Sequence, residues 1–209
     1  MSEVMMKIDF DIWDNIKGFM DKDEAERLYH IALQASKEDP VLEIGSYCGK
    51  SAYIIGSACK ENGSLLFSID HHKGSEEQQF GEAYFDPDLF DKKLSRVNTF
   101  AFFQETIIRT GLENTVVPIV AASSIAGKMW KTPISMLFID GGHSFEACHE
   151  DFLTWACHIK PNGFLVIHDI FKDPEKGGQA PRQVYEIAMQ SGDYEELEMT
   201  KTLGVLKRK

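Results

Sequence analysis

One glycine-containing segment constrains the fold of this chain more than any other feature. It reads VLEIGSYCGKS over residues 41–51, and apolar residues then recur at helical spacing at Ala52, Ile55 and Cys59. This pattern predicts a buried strand, a tight turn and the start of a helix. Because the first turn of a helix carries free N–H groups and a partial positive charge, we expect the turn to accept an anionic ligand group.

The spacing of the glycines distinguishes between kinds of nucleotide-binding turn. In a dinucleotide fingerprint that begins at Gly45, Tyr47 stands where a second glycine must admit the pyrophosphate. A Walker A loop also fails, because Gly45 precedes Gly49 by four residues instead of five. The segment has Glu43, Gly45 and Gly49 in the order E-x-G-x-x-x-G. It resembles motif I of class I S-adenosylmethionine (SAM) methyltransferases, and closely resembles that stretch of catechol-type O-methyltransferases.

The second predicted strand indicates a ligand that contains a nucleoside. Residues 65–69 form a mostly apolar run that ends in Asp70, 25 residues after Gly45. An acid at this strand end is placed to accept hydrogen bonds from both ribose hydroxyls of an adenosine. An ordinary strand-end carboxylate is the alternative, and the spacing favours the ribose contact.

Two further segments are predicted to flank the core. Residues 9–38 are expected to be helical, with a capping box formed by Asp21 and Glu24. We expect this helical cap to cover one edge of the sheet, and a dimerisation arm is the alternative. Residues 72–98 are polar, contain glycines and aromatic residues, and predict either a lid over the substrate or a surface insertion.

The order of the remaining elements predicts one α/β domain over the whole chain. Apolar runs alternate with helical stretches, which implies a doubly wound parallel sheet, and Pro118 favours an edge position for its strand. The predicted later strands are 116–120, 134–139 and 164–167, followed by a closing hairpin of 194–200 and 203–207. With its C-terminal antiparallel hairpin, this arrangement resembles the mostly parallel seven-stranded sheet of class I methyltransferases, a Rossmann-like fold.

Four ionisable side chains are expected at the carboxyl ends of two neighbouring strands. Asp140 and His143 follow the run 134–139, and His168 and Asp169 follow 164–167. The two aspartates are hard oxygen ligands suited to Mg²⁺ or Ca²⁺, whereas His168 is better suited to Mn²⁺, Fe²⁺ or Zn²⁺. Histidine titrates near neutral pH, so His143 is a candidate general base.

Structural roles are the alternatives for the same residues. Asp140 could anchor the following helix, His143 could lie beside the cap of that helix, and His168 could be a satisfied histidine at the sheet rim. Ser123 could face an adenine or cap the short helix that begins near it, and capping is the stronger expectation.

Resemblance to two related groups extends the expected roles. In catechol-type O-methyltransferases the positions of Asp140 and Asp169 bind Mg²⁺, and the base is a lysine at the position of His143. The string IDGGHSFE over residues 139–146 is more similar to the macrocin O-methyltransferase and cephalosporin-hydroxylase-like group, in which a histidine at that offset is the proposed base. The chain departs from both groups, with Ile170 after the last aspartate where the catechol type has Asn, and His168 before it where the macrocin type has Glu.

The composition limits the partners and the location that we expect. A net charge of −11 and a pI near 5.1 disfavour nucleic acid as a partner. The sequence has neither a membrane-spanning apolar run nor a signal-peptide core, and its four cysteines form no C-x-x-C pair. We therefore expect a cytoplasmic protein with reduced cysteines, acting on a small molecule. A homodimer is compatible with the sequence.

These observations lead to one functional hypothesis and two rivals. The hypothesis is a SAM-dependent methyltransferase, assisted by Mg²⁺ or Mn²⁺, that acts on a hydroxyl of a small molecule. The rivals are a metal-independent N- or C-methyltransferase and a non-catalytic SAM-binding or S-adenosylhomocysteine-binding protein. The predicted cofactor-binding residues are Glu43, Gly45, Ser46, Tyr47, Gly49, Ser51, Asp70, His71, Ser123 and Asp140, the catalytic residues His143 and Asp140, and the metal ligands Asp140, His168 and Asp169.

Overall fold

A computed structural model of the protein describes residues 8–209. The α-helices in this part of the chain are Phe10–Asp14 (α1), Lys22–Ala35 (α2), Lys50–Asn62 (α3), Phe100–Arg109 (α4), Ser123–Gly127 (α5), Phe145–Trp155 (α6) and Ala180–Gln190 (α7). The strands are Val41–Ile44 (β1), Leu66–Asp70 (β2), Phe90–Asp91 (β3), Arg96–Val97 (β4), Val116–Val120 (β5), Ile134–Ile139 (β6), Ile159–Ile167 (β7), Tyr194–Glu196 (β8) and Gly204–Arg208 (β9).

Seven of these strands form one sheet in the order β5-β2-β1-β6-β7-β9-β8. The first five strands in that order pair in parallel, and β9 pairs antiparallel with both β7 and β8. This topology confirms the predicted mostly parallel sheet with a C-terminal antiparallel hairpin. It also confirms the edge position of the strand with Pro118, whose missing N–H would interrupt a central ladder.

Helices cover both faces of the sheet, as a doubly wound arrangement requires. One buried cluster packs α2, α3 and α4 against the sheet, and a second packs α6 and α7 against the opposite face. The central strands β1 and β6 are buried at every position, which explains why their sequences are mostly apolar and do not alternate with exposed polar residues. The carboxyl ends of β1, β2, β6 and β7 therefore meet at one edge of the sheet.

Gly45 is required where β1 leaves the sheet. Its φ is +87°, and a Cβ atom there would overlap the carbonyl oxygen of Asp140 at the end of β6. The Gly45 N–H donates to the carbonyl oxygen of Ile69 at 2.9 Å. This close approach of three strand ends allows their side chains to share one site.

The N-terminal region differs from the predicted continuous helix. Residues 15–21 separate α1 from α2, and the Asp21–Glu24 capping box starts the second helix as predicted. Helix α2 packs on α3 and contacts β6 and β7, so it covers a face of the sheet and not an edge. The prediction placed it at an edge because an amphipathic stripe does not reveal which strands it meets.

Strand β7 is also longer than predicted. Residues 161–163 have turn composition, yet they lie inside β7, where Asn162 has a φ of +65°. The pairing with β6 shifts register between Ile134 and Met136. The turn-like residues therefore form an irregularity within the strand, which is the usual place for a residue with positive φ in a ladder. Among residues 8–209, no helix is long and apolar enough to span a membrane.

Candidate active site

A cavity of about 550 Å³ opens at the carboxyl edge of the sheet. Its floor includes the turn 45–47 and the strand ends at Asp70 and Asp140. Further walls come from the segment 17–20 between α1 and α2 and from the predicted lid, residues 72–98. The last wall comes from the loop that follows β7 and carries Phe171 and Lys176. The cavity therefore joins the glycine-containing turn to the cluster of ionisable groups.

Asp70 holds the turn after β1 in place. One carboxylate oxygen accepts hydrogen bonds from the backbone N–H groups of Ser46, at 3.1 Å, and Tyr47, at 2.8 Å. The other accepts from the N–H of His72 at 2.7 Å. Charge-assisted bonds of this kind fix the carboxylate at the cavity floor. Asp70 thus lies where the sequence predicted it, with a backbone role that the sequence did not reveal.

Glu43 does not lie in the cavity, contrary to its predicted contact with the cofactor. Its side chain is fully buried, and the hydroxyls of Ser68 and Ser51 lie 2.6 Å and 3.0 Å from its carboxyl oxygens. Burial, partly offset by these serines, raises the pKa of Glu43 to about 8. Because β1 is buried on both faces, an acid within the strand must face a helix or the sheet interior, and this one supports the turn from below.

Gly49 is another predicted cofactor contact that faces elsewhere. It precedes α3 with a φ of +91°, and a Cβ atom there would meet the side chains of Thr106 and Phe103 on α4. A glycine is needed at this position for backbone conformation and for helix packing. Tyr47 lines the cavity, and its ring lies 6.1 Å from that of Phe19, measured between centroids.

The other predicted cofactor residues line the cavity. They are Gly45, Ser46, Ser51, His71, Ser123 and Asp140. The hydroxyl oxygen of Ser46 is buried and has no hydrogen-bond partner within residues 8–209. Ser123 does not cap α5, because Ala122 is the N-cap residue and the Ser123 hydroxyl instead accepts from the Trp155 indole N–H at 2.7 Å.

The predicted acid–base residues come together at the other end of the cavity. Asp140, His143 and Asp169 each offer a ligand atom, and these atoms lie within 4.8 Å of one another. The Nε2 atom of His143 lies 3.2 Å from Asp169 Oδ2, and its Nδ1 atom lies 3.2 Å from Glu77 Oε2 of the lid. Two carboxylates in this spacing suit a divalent ion such as Mn²⁺ or Mg²⁺, and the imidazole lies beside them.

His168 does not join this cluster, contrary to its predicted role as a metal ligand. Its Nδ1 atom lies 3.1 Å from Asp140 Oδ1, and its Nε2 atom lies 3.1 Å from Glu24 Oε2. With both ring nitrogens paired to carboxylates, neither offers a lone pair to a metal ion in this arrangement. His143 is the third member of the cluster, and it stays the predicted base.

Glu24 is a site residue that the sequence did not indicate beyond its capping role. Its carboxylate accepts from the N–H of Asp21 at 3.1 Å and from the backbone N–H and hydroxyl of Thr202 at 2.8 Å and 2.6 Å, in addition to contacting His168. Although Glu24 is only 3% exposed, its bonds to His168 and Thr202 outweigh burial and lower its pKa to about 2. A charged residue on the apolar side of an amphipathic helix is the signal that could have found it.

The neighbouring carboxylates raise the pKa values of both histidines. The hydrogen bond to Asp169 is the main reason that the pKa of His143 rises to about 9, despite opposing burial. Burial alone would lower the pKa of His168, but attraction to Asp140 and hydrogen bonds to Asp140, Asp169 and Glu24 hold it well above its usual range. The same contacts hold the pKa of Asp169 well below its ordinary value despite burial. The described groups therefore form a connected network of ion pairs at this end of the cavity.

The N-terminal segment and the lid meet at the cavity mouth. The Lys17 ammonium lies 2.5 Å from Asp86 and 2.9 Å from Asp88 of the lid. The rings of Phe19 and Tyr84 pack edge to face, with centroids 5.5 Å apart. The segment 17–20 contains no motif, so its place at the cavity could not be predicted. Gly74, Glu77 and Tyr84 of the segment 72–98 line the cavity, and its role as a lid stays a prediction.

Comparison with solved structures places this fold among methyltransferases. An O-methyltransferase from Bacillus cereus in complex with SAH has 12% sequence identity and a TM-score of 0.65, with 99% of this chain and 94% of that chain covered. The O-methyltransferase TomG from Streptomyces achromogenes, in complex with SAM, has 14% identity and a TM-score of 0.64, with 99% and 92% covered. The SAH-bound methyltransferase PaMTH1 from Podospora anserina has 13% identity and a TM-score of 0.59, with 96% and 93% covered.

At these identities the likeness establishes the fold, whereas a family match identifies the chain. A family described as methyltransferase domain matches residues 42–170, from β1 through Asp169. The matched region contains the glycine turn, the strand end at Asp70 and the acid–base cluster. It is more than half of the 209 residues, so this protein belongs to that family of methyltransferase domains.

Proposed function

We propose that the protein is a SAM-dependent O-methyltransferase that acts on a hydroxyl of a small molecule with the help of a divalent ion, Mg²⁺ or Mn²⁺. The observation that carries this proposal is that Asp70 and the Asp140–His143–Asp169 cluster line one cavity. A methyl donor held at the first and a hydroxyl held at the second would be neighbours. Methyl transfer requires this proximity, because the nucleophile must attack the methyl carbon in line with the departing sulfur.

The residues at the Asp70 end fit the cofactor. A polar group of a ligand would satisfy the buried Ser46 hydroxyl, which has no hydrogen-bond partner among the described residues. Asp70 is fixed by its three backbone bonds, and its remaining lone pair can accept from a ribose hydroxyl. Ser123 marks the direction in which an adenine would extend, since β5 neighbours β2.

The residues at the opposite end fit an ion and a base. When bound, SAM supplies an electrophilic methyl group, and a divalent ion lowers the pKa of the acceptor hydroxyl. Asp140 and Asp169 would hold that ion through carboxylate oxygens, and His143 would accept the hydroxyl proton. Because the bond to Asp169 raises the pKa of His143, the imidazole can act as a base only when that carboxylate is turned away from it.

A chelation experiment with matched variants tests the proposal. Once a panel of phenols, catechols and sugar hydroxyls has identified an acceptor, EDTA should abolish turnover while calorimetry still detects SAM binding. Asp140→Asn and Asp169→Asn should behave like chelation. His143→Ala should keep Mn²⁺ binding and lose on the order of a hundredfold in rate, which is the usual contribution of a general base. His149→Ala, on the same stretch of chain but outside this cavity, is the control and should leave the rate unchanged.

One observation favours a metal-independent methyltransferase as the second candidate. His168 pairs with Asp140 and His143 pairs with Asp169, so each of the two carboxylates already has a partner within the chain. An active acceptor whose methylation is unaffected by EDTA would replace the metal proposal with this one. Failure of the protein to bind SAM would overturn both.

A further inference from the structure

The buried acid Asp151 has no part in the chemistry proposed above. It lies on α6, is only 7% exposed and lines the cavity. Burial is the main reason that its pKa rises to about 6, although the Ser123 hydroxyl opposes that rise. A carboxyl group buried at a cavity wall is unfavourable unless a partner compensates for the lost hydration. The surroundings of Asp151 indicate what kind of partner would do so.

The known neighbours leave part of the carboxyl group available. The Ser123 hydroxyl accepts from the Trp155 indole N–H at 2.7 Å, which leaves its own proton free to face Asp151, whose pKa it lowers. A carboxylate has about four acceptor positions, and the serine can use one of them. Asp151 is therefore an acceptor with positions left for a ligand, beside a serine that a tryptophan holds in place.

Glycines keep the space in front of Asp151 open. A Cβ atom on Gly141 would lie 3.0 Å from Asp151 Oδ2, and one on Gly142 would lie 3.0 Å from the Ala147 Cβ. Both glycines and Ala147 line the cavity. The wall beside the acid therefore lacks large side chains, which suits a flat ring.

The fold places this space next to the expected ribose position. Asp70 at the end of β2 pairs in register with Val120 of β5, and the Ala121 N–H lies 3.2 Å from the Asp70 carbonyl oxygen. Two residues further on is Ser123, the partner of Asp151. A base attached to a ribose at Asp70 can thus extend across the β2–β5 edge toward the acid.

We propose that Asp151 accepts a hydrogen bond from the 6-amino group of the cofactor's adenine and thereby selects adenine over a 6-oxo purine. The inference rests on the proposed SAM-binding function. An amino group donates to a carboxylate, whereas the 6-oxo group of hypoxanthine presents a second acceptor to it. Hydrogen bonds to charged groups are strong, and a site left with opposed acceptors discriminates strongly against the mismatched ligand.

The test compares S-adenosylhomocysteine with S-inosylhomocysteine, which carries oxygen in place of the 6-amino group, by calorimetry. The wild-type protein should bind the adenosyl compound about a hundredfold more tightly. In Asp151→Asn an amide N–H₂ can donate to the 6-oxo group, so this ratio should fall by about tenfold or more. Glu150→Gln is the matched control, because Glu150 is the adjacent acid and lines the same cavity, and it should keep the wild-type ratio.

The outcomes separate this inference from the function on which it rests. If the wild-type protein binds neither compound, the SAM-binding proposal is wrong and the inference falls with it. If it binds both equally, the inference is overturned while the function stands, whether or not any variant folds. A wild-type ratio that persists in a folded Asp151→Asn protein would also overturn it and would leave Asp151 as a link between α5 and α6.

Discussion

Replacing Glu43 with glutamine should remove part of the pH dependence of the free energy of unfolding. Glu43 is a fully buried acid in the central strand β1, and its only hydrogen bonds within the described chain are to Ser51 and Ser68. A protonated carboxyl group has one donor and one acceptor for two serine hydroxyls, which can rotate to suit it. The amide of Glu43→Gln has the same shape and one acceptor oxygen, but it has two N–H donors where the acid has one, so the folded structure should accommodate it with one N–H left over.

The sign and size of the effect follow from the pKa of Glu43. This pKa rises from 4.5 to about 8, so the folded protein binds more protons than the unfolded chain between these pH values. The stability associated with the neutral form is fully present below pH 4.5 and is lost as pH rises through about 8. Between pH 5 and pH 8 this single group should lower the free energy of unfolding by on the order of 3 kcal/mol.

Urea unfolding at several pH values provides the assay. Relative to its value at pH 5, the difference in free energy of unfolding between Glu43→Gln and wild type should favour the variant increasingly up to pH 8.5. Taking this difference removes the contributions of the other titrating groups. Glu113→Gln changes an exposed glutamate and should give a flat difference curve. A flat curve for Glu43→Gln as well would refute the assignment of a buried, neutral Glu43.

Two further changes test the turn and the lid. Gly45→Ala should destabilise the protein by on the order of 3 kcal/mol and weaken SAM binding, because its Cβ would overlap a backbone oxygen. Gly63→Ala has a similar positive φ but open space around it, and it should cost about 1 kcal/mol in thermal or urea unfolding. Equal losses of stability in the two variants would contradict the role of the close approach. Lys17→Ala removes the ion pairs to two lid aspartates and should speed amide hydrogen exchange around residues 84–90 several-fold, since such pairs contribute about 0.5–1 kcal/mol. Lys92→Ala, which changes an exposed lysine of the same segment, is the control. Equal exchange rates in both variants would show that the Lys17 ion pairs do not hold the segment in place.

The sequence was sufficient for the fold because its central signals are local. Short, mostly apolar runs such as 134–139 favour strands buried on both faces, and the acids after parallel strands must reach the same sheet edge. For that reason Asp70, Asp140, His143 and Asp169 were placed correctly relative to one another. All four cysteines are free, as expected from their spacing. The cytoplasmic location and the possible homodimer stay predictions.

Side-chain direction and distant contacts could not be predicted in the same way. In a strand buried on both faces, the pattern does not show whether Glu43 points to the cavity or to the interior. The pairing of His168 with Glu24 joins residues 144 positions apart. The sequence around each of them contains no pattern that predicts contact with the other. Asp151 lies within the apolar stripe of α6 and is visible only as an interruption of it.

The four hydrogen bonds that converge on Glu24 have a consequence for biosynthesis. Four donors meet at its two oxygens, and two of them belong to Thr202, which leaves the ribosome 178 residues later. Until then Glu24 lacks two of its four hydrogen-bond donors. The Glu24 carboxylate that contacts His168 is then only partly fixed, and His168 in turn contacts Asp140. The nascent chain can assemble the parallel strands in order, but its catalytic geometry is finished by the last hairpin, so a ribosome stalled before residue 202 should carry a compact domain that cannot turn over substrate.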